Sequence, residues 1–408
     1  MPRYLPITIA GLSSLLIASD AFAGAFAVRE QSSWYQGLSF AGNATHSKSL
    51  SSMYWNPATM TGHEGWQGET SQTVVFPSAS ISLDEATIDI PGIPGIPIIG
   101  VPYSSGNIGV DAWVPASYST WAANDRVTLG ISTNAPFGFE TKPRIEWAGQ
   151  TYARSSRVLS VNVTPMASVK LTEKFSVGAG VQVEYLQVRL KSAAGVPPFV
   201  PNAPTVELRG EDNNLGFGAT LGALFKPWEG TQFGIGYRSP IEHNLKGRLV
   251  LGGTKLTSIR ATVTMPETVT VSFQQALTEQ WRGMGTFEWT HWSRFGTFPI
   301  VNVQGQQVAD LPFQYNDGYF LSLGTEYDFH ERFTGRFGLA YEWSPIDEHN
   351  RTPRLPDSNR FWLSAGLSYF HNDWLEVDVG YSHLFPESSN ININPAHPAY
   401  AGITIQGR

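Results

Sequence analysis

The side chains with chemistry to offer are charged groups set singly among small and polar residues: Glu184, Arg238, Glu326, Arg336, Glu342, Glu376 and Asp378. Such a set neutralises itself as ion pairs in a wet interior, and its spacing makes no catalytic constellation. Enzyme signatures fail in turn. No Gly-x-Ser-x-Gly elbow is present, cysteine is absent, and His63-Glu64 lacks the second histidine of a zinc helix. Asp347 to Arg351 reads as a solvated loop cluster, with cation or lipopolysaccharide binding as the alternative. Neither a metal nor a cofactor is predicted.

The elements that must position these charges are strands. Phe361, Leu363, Ala365, Leu367 and Tyr369 share one face of a dyad segment; Leu375, Val377, Val379 and Tyr381 share that of the next. The opposite face carries Ser364, Gly366, Ser368, Glu376 and Asp378. The same alternation covers 175–185, 268–273, 319–328 and 336–343, and no segment follows a helical period. A soluble sandwich and an outer-membrane barrel both fit one such hairpin, with the apolar face against a second sheet or against lipid.

The N-terminus and the connections separate the two. Residues 1–23 read as a cleaved signal peptide: Arg3, an apolar stretch from Leu5 to Ala18, then Ala21-Phe22-Ala23. Export without cysteine leaves no disulfide stapling, and no later apolar run of about 18 residues allows a spanning helix. The formal net charge of −7 and the lack of a basic cluster argue against a nucleic-acid partner. Short turns near 123–125, 172–173, 227–230, 278–279, 330–331 and 371–373 alternate with long connections near 82–108, 138–153, 192–210, 243–262, 293–315, 344–358 and 385–400. Only a membrane barrel, with short periplasmic turns and longer outer loops, has a reason for that rhythm. Aromatic residues at strand ends, Trp281, Trp289, Trp292, Tyr369, Trp374 and Tyr381, fit interfacial girdles. Six short turns and seven long loops give fourteen antiparallel strands over 63–408. Residues 24–62 carry too much apolar mass for a disordered arm (Phe26, Trp34, Tyr35, Phe40, Trp55) and read as a hatch plugging the lumen.

Phe26 to Ser33, Gly37 to Gly42 and Asn56-Pro57-Ala58 resemble the hatch of the FadL-type outer-membrane long-chain fatty acid transport proteins. Ala112 to Pro115, Asn134 to Thr141, Tyr237-Arg238-Ser239, Met265-Pro266-Glu267, Trp289 to Ser293 and Pro356 to Ala365 extend the resemblance, in order, over nearly the whole mature chain. It implies a monomeric fourteen-stranded barrel in the Gram-negative outer membrane. Its partners would be outer-membrane lipid and a long-chain fatty acid or other hydrophobic small molecule. Substrate would pass from an outer groove to an inner pocket, then leave sideways at a kink in the third strand. Aromatic or aliphatic hydrocarbon is the alternative cargo; a general porin or an outer-membrane phospholipase are further rivals.

The resemblance places Asn56 near the substrate head group, where an Asn-Pro pair is equally a turn initiator, and Thr133 and Asn134 near the inner pocket. Pro136, Phe137 and Gly138 interrupt strand pairing, because proline cannot donate to a ladder and glycine weakens one. They are the candidate kink. Arg189 and Lys191 are the nearest basic candidates for a carboxylate, yet parity sets them on the side of Val183 and Tyr185, facing lipid. Leu186, Val188 and Leu190 face the upper lumen and suit an alkyl chain. The proline-rich apolar loops 90–102 and 193–201 either pack on each other or form a greasy landing surface. After the last long loop, residues 400–408 are too short for a spanning strand of about 9–11 residues, so the closing strand is expected to be largely missing.

Overall fold

Side-chain alternation fixes which way each strand faces, and in this chain it puts the greasy face outside. In the computed structural model, Phe217, Leu221, Ile235, Val271, Phe287, Leu323, Phe337 and Leu367 are exposed, while Thr220, Ser272, Ser322, Ser364 and Ser368, set between such residues, are buried. That inversion is stable only with hydrocarbon outside. The structure describes residues 7–9, 24–90, 93–196, 200, 202–212, 215–393 and 403–408. The signal-peptide reading, apart from 7–9, and loop 394–402 lie outside them.

Thirteen wall strands follow one another antiparallel among the described residues: β1 (Trp66–Val75), β2 (Ala112–Ala122), β3 (Val127–Asn134 and Gly138–Thr141), β4 (Ser155–Thr172), β5 (Phe175–Ala193), β6 (Thr205–Asp212 and Gly216–Phe225), β7 (Thr231–Arg238 and Ile241–Leu251), β8 (Thr254–Met265 and Thr268–Ala276), β9 (Trp281–Thr290), β10 (Gly318–His330), β11 (Phe333–Trp343), β12 (Arg360–Asn372) and β13 (Leu375–Pro386). Residues Ile7–Ile9 form a short strand parallel to β1 that packs on β13. The wall is the antiparallel β-barrel that the alternation and loop rhythm predict.

Residues 24–62 fill its interior. A short helix (Ser33–Gln36) and two 3₁₀ turns (Leu50–Tyr54 and Pro57–Met60) are buried against the wall. Wall hydroxyls hold them: Thr286 and Ser272 accept from the Gly42 and Ala44 N–H groups at 2.8 and 3.0 Å. Glu69 of β1 accepts from Ser49 Oγ and the Leu50 N–H.

Two expectations need correction. The connection expected over 243–262 is mostly strand: β7 and β8 pair to their tips and turn at Gly252-Gly253, both at positive φ as a tight hairpin requires. The connection 293–315 contains its own hairpin, Thr297–Asn302 with Gln307–Pro312. The expectation for the last residues holds: Ile403–Gly407 pairs with Ser80–Ile90, not with the first wall strand. With Ile93–Pro97, Ser104–Asn107 and Ile391–Ile393 it builds a five-stranded outer sheet. Ile81, Ile98, Val196, Ile391 and Ile405 close a core there with Trp147 and Tyr152, so these apolar loops pack on one another.

Candidate functional site

The outer halves of β5 to β8 stand above the apolar band and turn their greasy side inward. Leu186, Val188 and Leu190 of β5, Leu208 of β6, Leu245 of β7, and Ile259, Val263 and Met265 of β8 converge on a cleft whose empty space, its opening to solvent included, is about 960 Å³. The 297–312 hairpin and its flanks close one side with Phe295, Phe298, Phe313 and Tyr315, whose rings meet at 5.0 to 6.1 Å. Phe26 of the hatch forms the floor, 5.4 Å from Phe295 and 4.8 Å from Trp292. Three arginines border the space. Arg209 and Arg260 sit on the outward register of their strands, and Arg354 alone is buried. A pocket with an apolar wall and few polar groups suits a long, weakly polar ligand.

Beneath it lies a second, smaller space of about 590 Å³, walled by Val28, Arg29, Tyr54, Pro136, Phe137, Glu184, Arg238 and Glu288. Met265 borders both cavities. Arg29 closes the side toward β9 to β11, pairing with Glu288 at 2.7 Å and Glu342 at 3.1 Å, and Glu342 in turn takes Arg360 at 3.1 Å. Deeper in the lumen Arg336 pairs with Glu326 and Asp378. Glu288, Glu326, Glu342 and Asp378 of the inner strand faces are thus each paired with arginine, while Arg238 instead donates to Tyr54 O at 3.1 Å.

The wall breaks beside this second space. β3 runs with β2 only as far as Thr133, opposite Ser117. Past Asn134 it leaves β2, and resumes at Gly138 still paired to β4. Residues 112–116 of β2 therefore have β1 on one side and no ladder partner from β3 on the other. The hatch takes the vacated edge: Val28 N–H donates to Pro136 O at 2.8 Å, and Gly138 N–H to Phe26 O at 2.9 Å. Gln31 supplies what the strand lost, its amide donating to Ala135 O at 2.8 Å and accepting from Ala135 N–H at 3.3 Å. An unmade buried backbone bond costs about 1–3 kcal/mol, so this fully buried side chain is what makes the break affordable.

Several candidates sit elsewhere than the sequence reading put them. Asn56 is buried and fully used: Oδ1 caps the second 3₁₀ turn at Ala58 N–H, and Nδ2 donates to Ala44 O at 2.7 Å and Ala223 O at 2.9 Å. Both donors being spent, it clamps hatch to wall and has no N–H left for a head group. Thr133 points outward, on the register of exposed Ile131. Asn134 points inward and donates to Gln31 and to Tyr118 Oη at 2.8 Å, bracing the break below both cavities. Arg189 and Lys191 face outward and share Glu207, at 2.8 and 3.8 Å. Leu186, Val188 and Leu190 line the large cavity, and Pro136, Phe137 and Gly138 form the break.

Sequence reasoning missed Gln31, Phe26 as a floor, the aromatic group at 295–315 and Arg354. Asp357 in the loop before β12 also escaped it: its carboxylate accepts from Ala25 N–H at 3.0 Å and Ser344 Oγ at 2.6 Å, tying the hatch's beginning to the outer rim. Burial pushes that carboxyl up to about 7, against the pull of the Arg360 guanidinium. Phe26, Gln31 and Asp357 all lie inside stretches that carry the family resemblance, the one signal that marked them.

The family model for outer membrane protein transport proteins (OMPP1/FadL/TodX) matches residues 14–406. The long-chain fatty acid transport protein of Salmonella typhi is 26% identical over 417 residues, covering 93% of this chain and 92% of that protein. Among solved structures, a Pseudomonas aeruginosa FadL homologue superposes with a TM-score of 0.82 at 22% identity, over 94% of this chain and 96% of that one. The Ralstonia pickettii toluene transporter TbuX gives 0.64 at 17%, over 93% and 96%.

Proposed function

The chain belongs to the OMPP1/FadL/TodX family of outer membrane transport proteins, and we propose that it imports long-chain fatty acids through its upper cavity and out of its wall at the β3 break. It is a transporter of the outer membrane, not an enzyme, and its cargo class is hydrophobic small molecules. The observation that carries the finer reading is the continuity of the greasy cavity, the space below it and the gap beside β2, three features that meet at Phe26, Met265 and Phe137.

The route follows from elementary energetics. An alkyl chain entering the cavity leaves water and gains about 0.8 kcal/mol per buried methylene. Its carboxylate needs a cation, and Arg354 is the buried one on that wall. This guanidinium in an apolar wall favours a fatty acid over a neutral hydrocarbon, the runner-up cargo. The ligand then slides past Phe26 and Phe137 toward Pro136, where the wall has no ladder bonds to break. Leaving sideways between β2 and the hatch residues bonded to Pro136 and Gly138, it does not need the hatch released from the rest of the wall. The signal peptide (1–23) is removed on export, 24–62 stays as hatch, 63–408 forms the barrel, and the protein works as a monomer.

Two measurements test this. Mass spectrometry of lipid extracted from the purified protein is expected to find long-chain fatty acid; a bound alkane or arene would overturn the cargo. The Pro136→Val, Gly138→Val variant restores strand residues at the break, where a Cβ at 138 meets nothing closer than Val28 at 3.5 Å. It is expected to assemble normally and to lose uptake, and undiminished uptake would sink the lateral exit.

A further inference from the structure

On the outside of the barrel, just above the apolar band, arginines from four neighbouring strands stand directly opposite one another. Arg157 of β4 faces Arg189 of β5, Arg189 faces Arg209 of β6, and Arg209 faces Arg248 of β7. One step nearer the membrane, Lys246 of β7 faces Arg260 of β8. Directly opposed side chains share a face, and like charges there are destabilising. Carboxylates relieve only part of it: Glu140 lies 3.6 Å from Arg157, Glu207 takes Arg189 and Lys191, and Glu211 stands opposite Lys246. Among the described residues no carboxylate comes within ion-pair distance of Arg209, Arg248 or Arg260. The fold itself has no use for this row.

Its height says what does. On β5 the outward residues run Phe175, Val177, Ala179, Val181, Val183 and Tyr185, then Gln187, Arg189 and Lys191. Ten residues at about 3.3 Å rise and a tilt of about 40° span about 25 Å, the thickness of the apolar band of an outer-membrane barrel. Tyr185 therefore marks the outer interface, and Arg189 stands about 10 Å above it. On β4 the outward Leu171 to Leu159 likewise end where Arg157 begins. The row lies at the level of the outer leaflet's head groups and is confined to the β4–β8 side.

We propose that this row binds the phosphorylated head group of an outer-leaflet glycolipid, the guanidiniums of Arg209 and Arg248 holding phosphate oxygens in the forked geometry arginine makes with phosphate. The bound anion relieves the repulsion between opposed arginines, and the lipid's acyl chains lie along the apolar strand faces directly below. Arg209 and Arg260 also border the cavity, but the outward register of the row separates head-group binding from the inward face of Leu186, Val188 and Leu190.

The test is native mass spectrometry of the purified protein titrated with diphosphoryl lipid A, with its dephosphorylated form, and with inorganic phosphate. Wild type is expected to retain diphosphoryl lipid A, to hold the dephosphorylated form about tenfold or more weakly, and not to be stripped by inorganic phosphate. The Arg209→Gln, Arg248→Gln variant should lose that preference, while Arg126→Gln, Lys174→Gln at the other end of the barrel should keep it. Heat-modified mobility on gels shows that each variant is folded. Equal retention of both lipids by wild type, equal preference in the Arg209/Arg248 variant, or full displacement by inorganic phosphate would each overturn the proposal.

Discussion

Single residues decide two matters here, what the cavity holds and how the hatch's start is fastened. Arg354 is the buried cation on a wall that is mostly aliphatic and aromatic. A charge-assisted bond to a carboxylate contributes about 1.5–3 kcal/mol, or roughly ten- to a hundredfold in affinity. Arg354→Gln should therefore weaken oleate binding by about tenfold or more and leave an alkane of the same length unaffected, as read by displacement of a fluorescent fatty acid. Equal weakening of both ligands would make Arg354 a packing residue. Asp357 has a different consequence. Its folded pKa, about 7, lies above that of an ordinary carboxyl. The folded state thus keeps a proton that the unfolded chain releases from about pH 4 upward. Stability from this group is fully present below pH 4, falls as pH rises to about 7 and is flat beyond. The thermal midpoint of wild type minus that of Asp357→Asn should trace this curve, and a pH-independent difference would refute it.

At the scale of elements, the wall's inward glycines make room for the hatch. A Cβ on Gly236 would stand 1.7 Å from Trp55 O, and one on Gly234 1.8 Å from Ala44 O, both backbone atoms that cannot swing aside. Gly236→Val should therefore displace the hatch between residues 44 and 56, admitting ions in planar bilayers and protease to the hatch. A silent and protected variant would show that the hatch seats elsewhere. The lower wall was legible from sequence because lipid outside and water-sized polar groups inside impose one clean alternation, as on Phe233, Ile235 and Tyr237. The upper wall was not. Beyond Ser239-Pro240 the phase reverses, so that Ile241, Leu245 and Leu249 face in while Asn244, Lys246 and Arg248 face water. A stretch that is polar outside reads as loop when apolar is taken to mean lipid-facing, and 243–262 was misjudged for that reason. Parity on unbroken β5 did give Leu186, Val188 and Leu190 their inward direction. Gln31, a single polar residue in a segment without periodicity, left no such trace.

For the whole molecule, the question is whether cargo passes through the barrel or only through its upper half. The hatch is fastened all round: to β1 by Glu69, to β8 and β9 by Ser272 and Thr286, to β6 by Asn56, and to β12 by Ser39, whose Oγ lies 2.7 Å from Ser364 Oγ. Each bond contributes only about 0.5–1.5 kcal/mol net, but releasing the hatch would expose the unmade partners of all of them at once. A side exit above this plug needs none of them broken. The chain has no cysteine, so Ser39→Cys, Ser364→Cys introduces a single addressable pair at a site where the two side chains already touch. Oxidised, that variant holds hatch to wall covalently. If cargo leaves through the gap beside β2, the locked protein should import fatty acid at the wild-type rate, with and without reductant. If instead the hatch must move aside to open a path to the periplasm, uptake should stop on oxidation and return on reduction. The second result would leave the β3 break as a docking place for Phe26 and Val28 and remove it from the route.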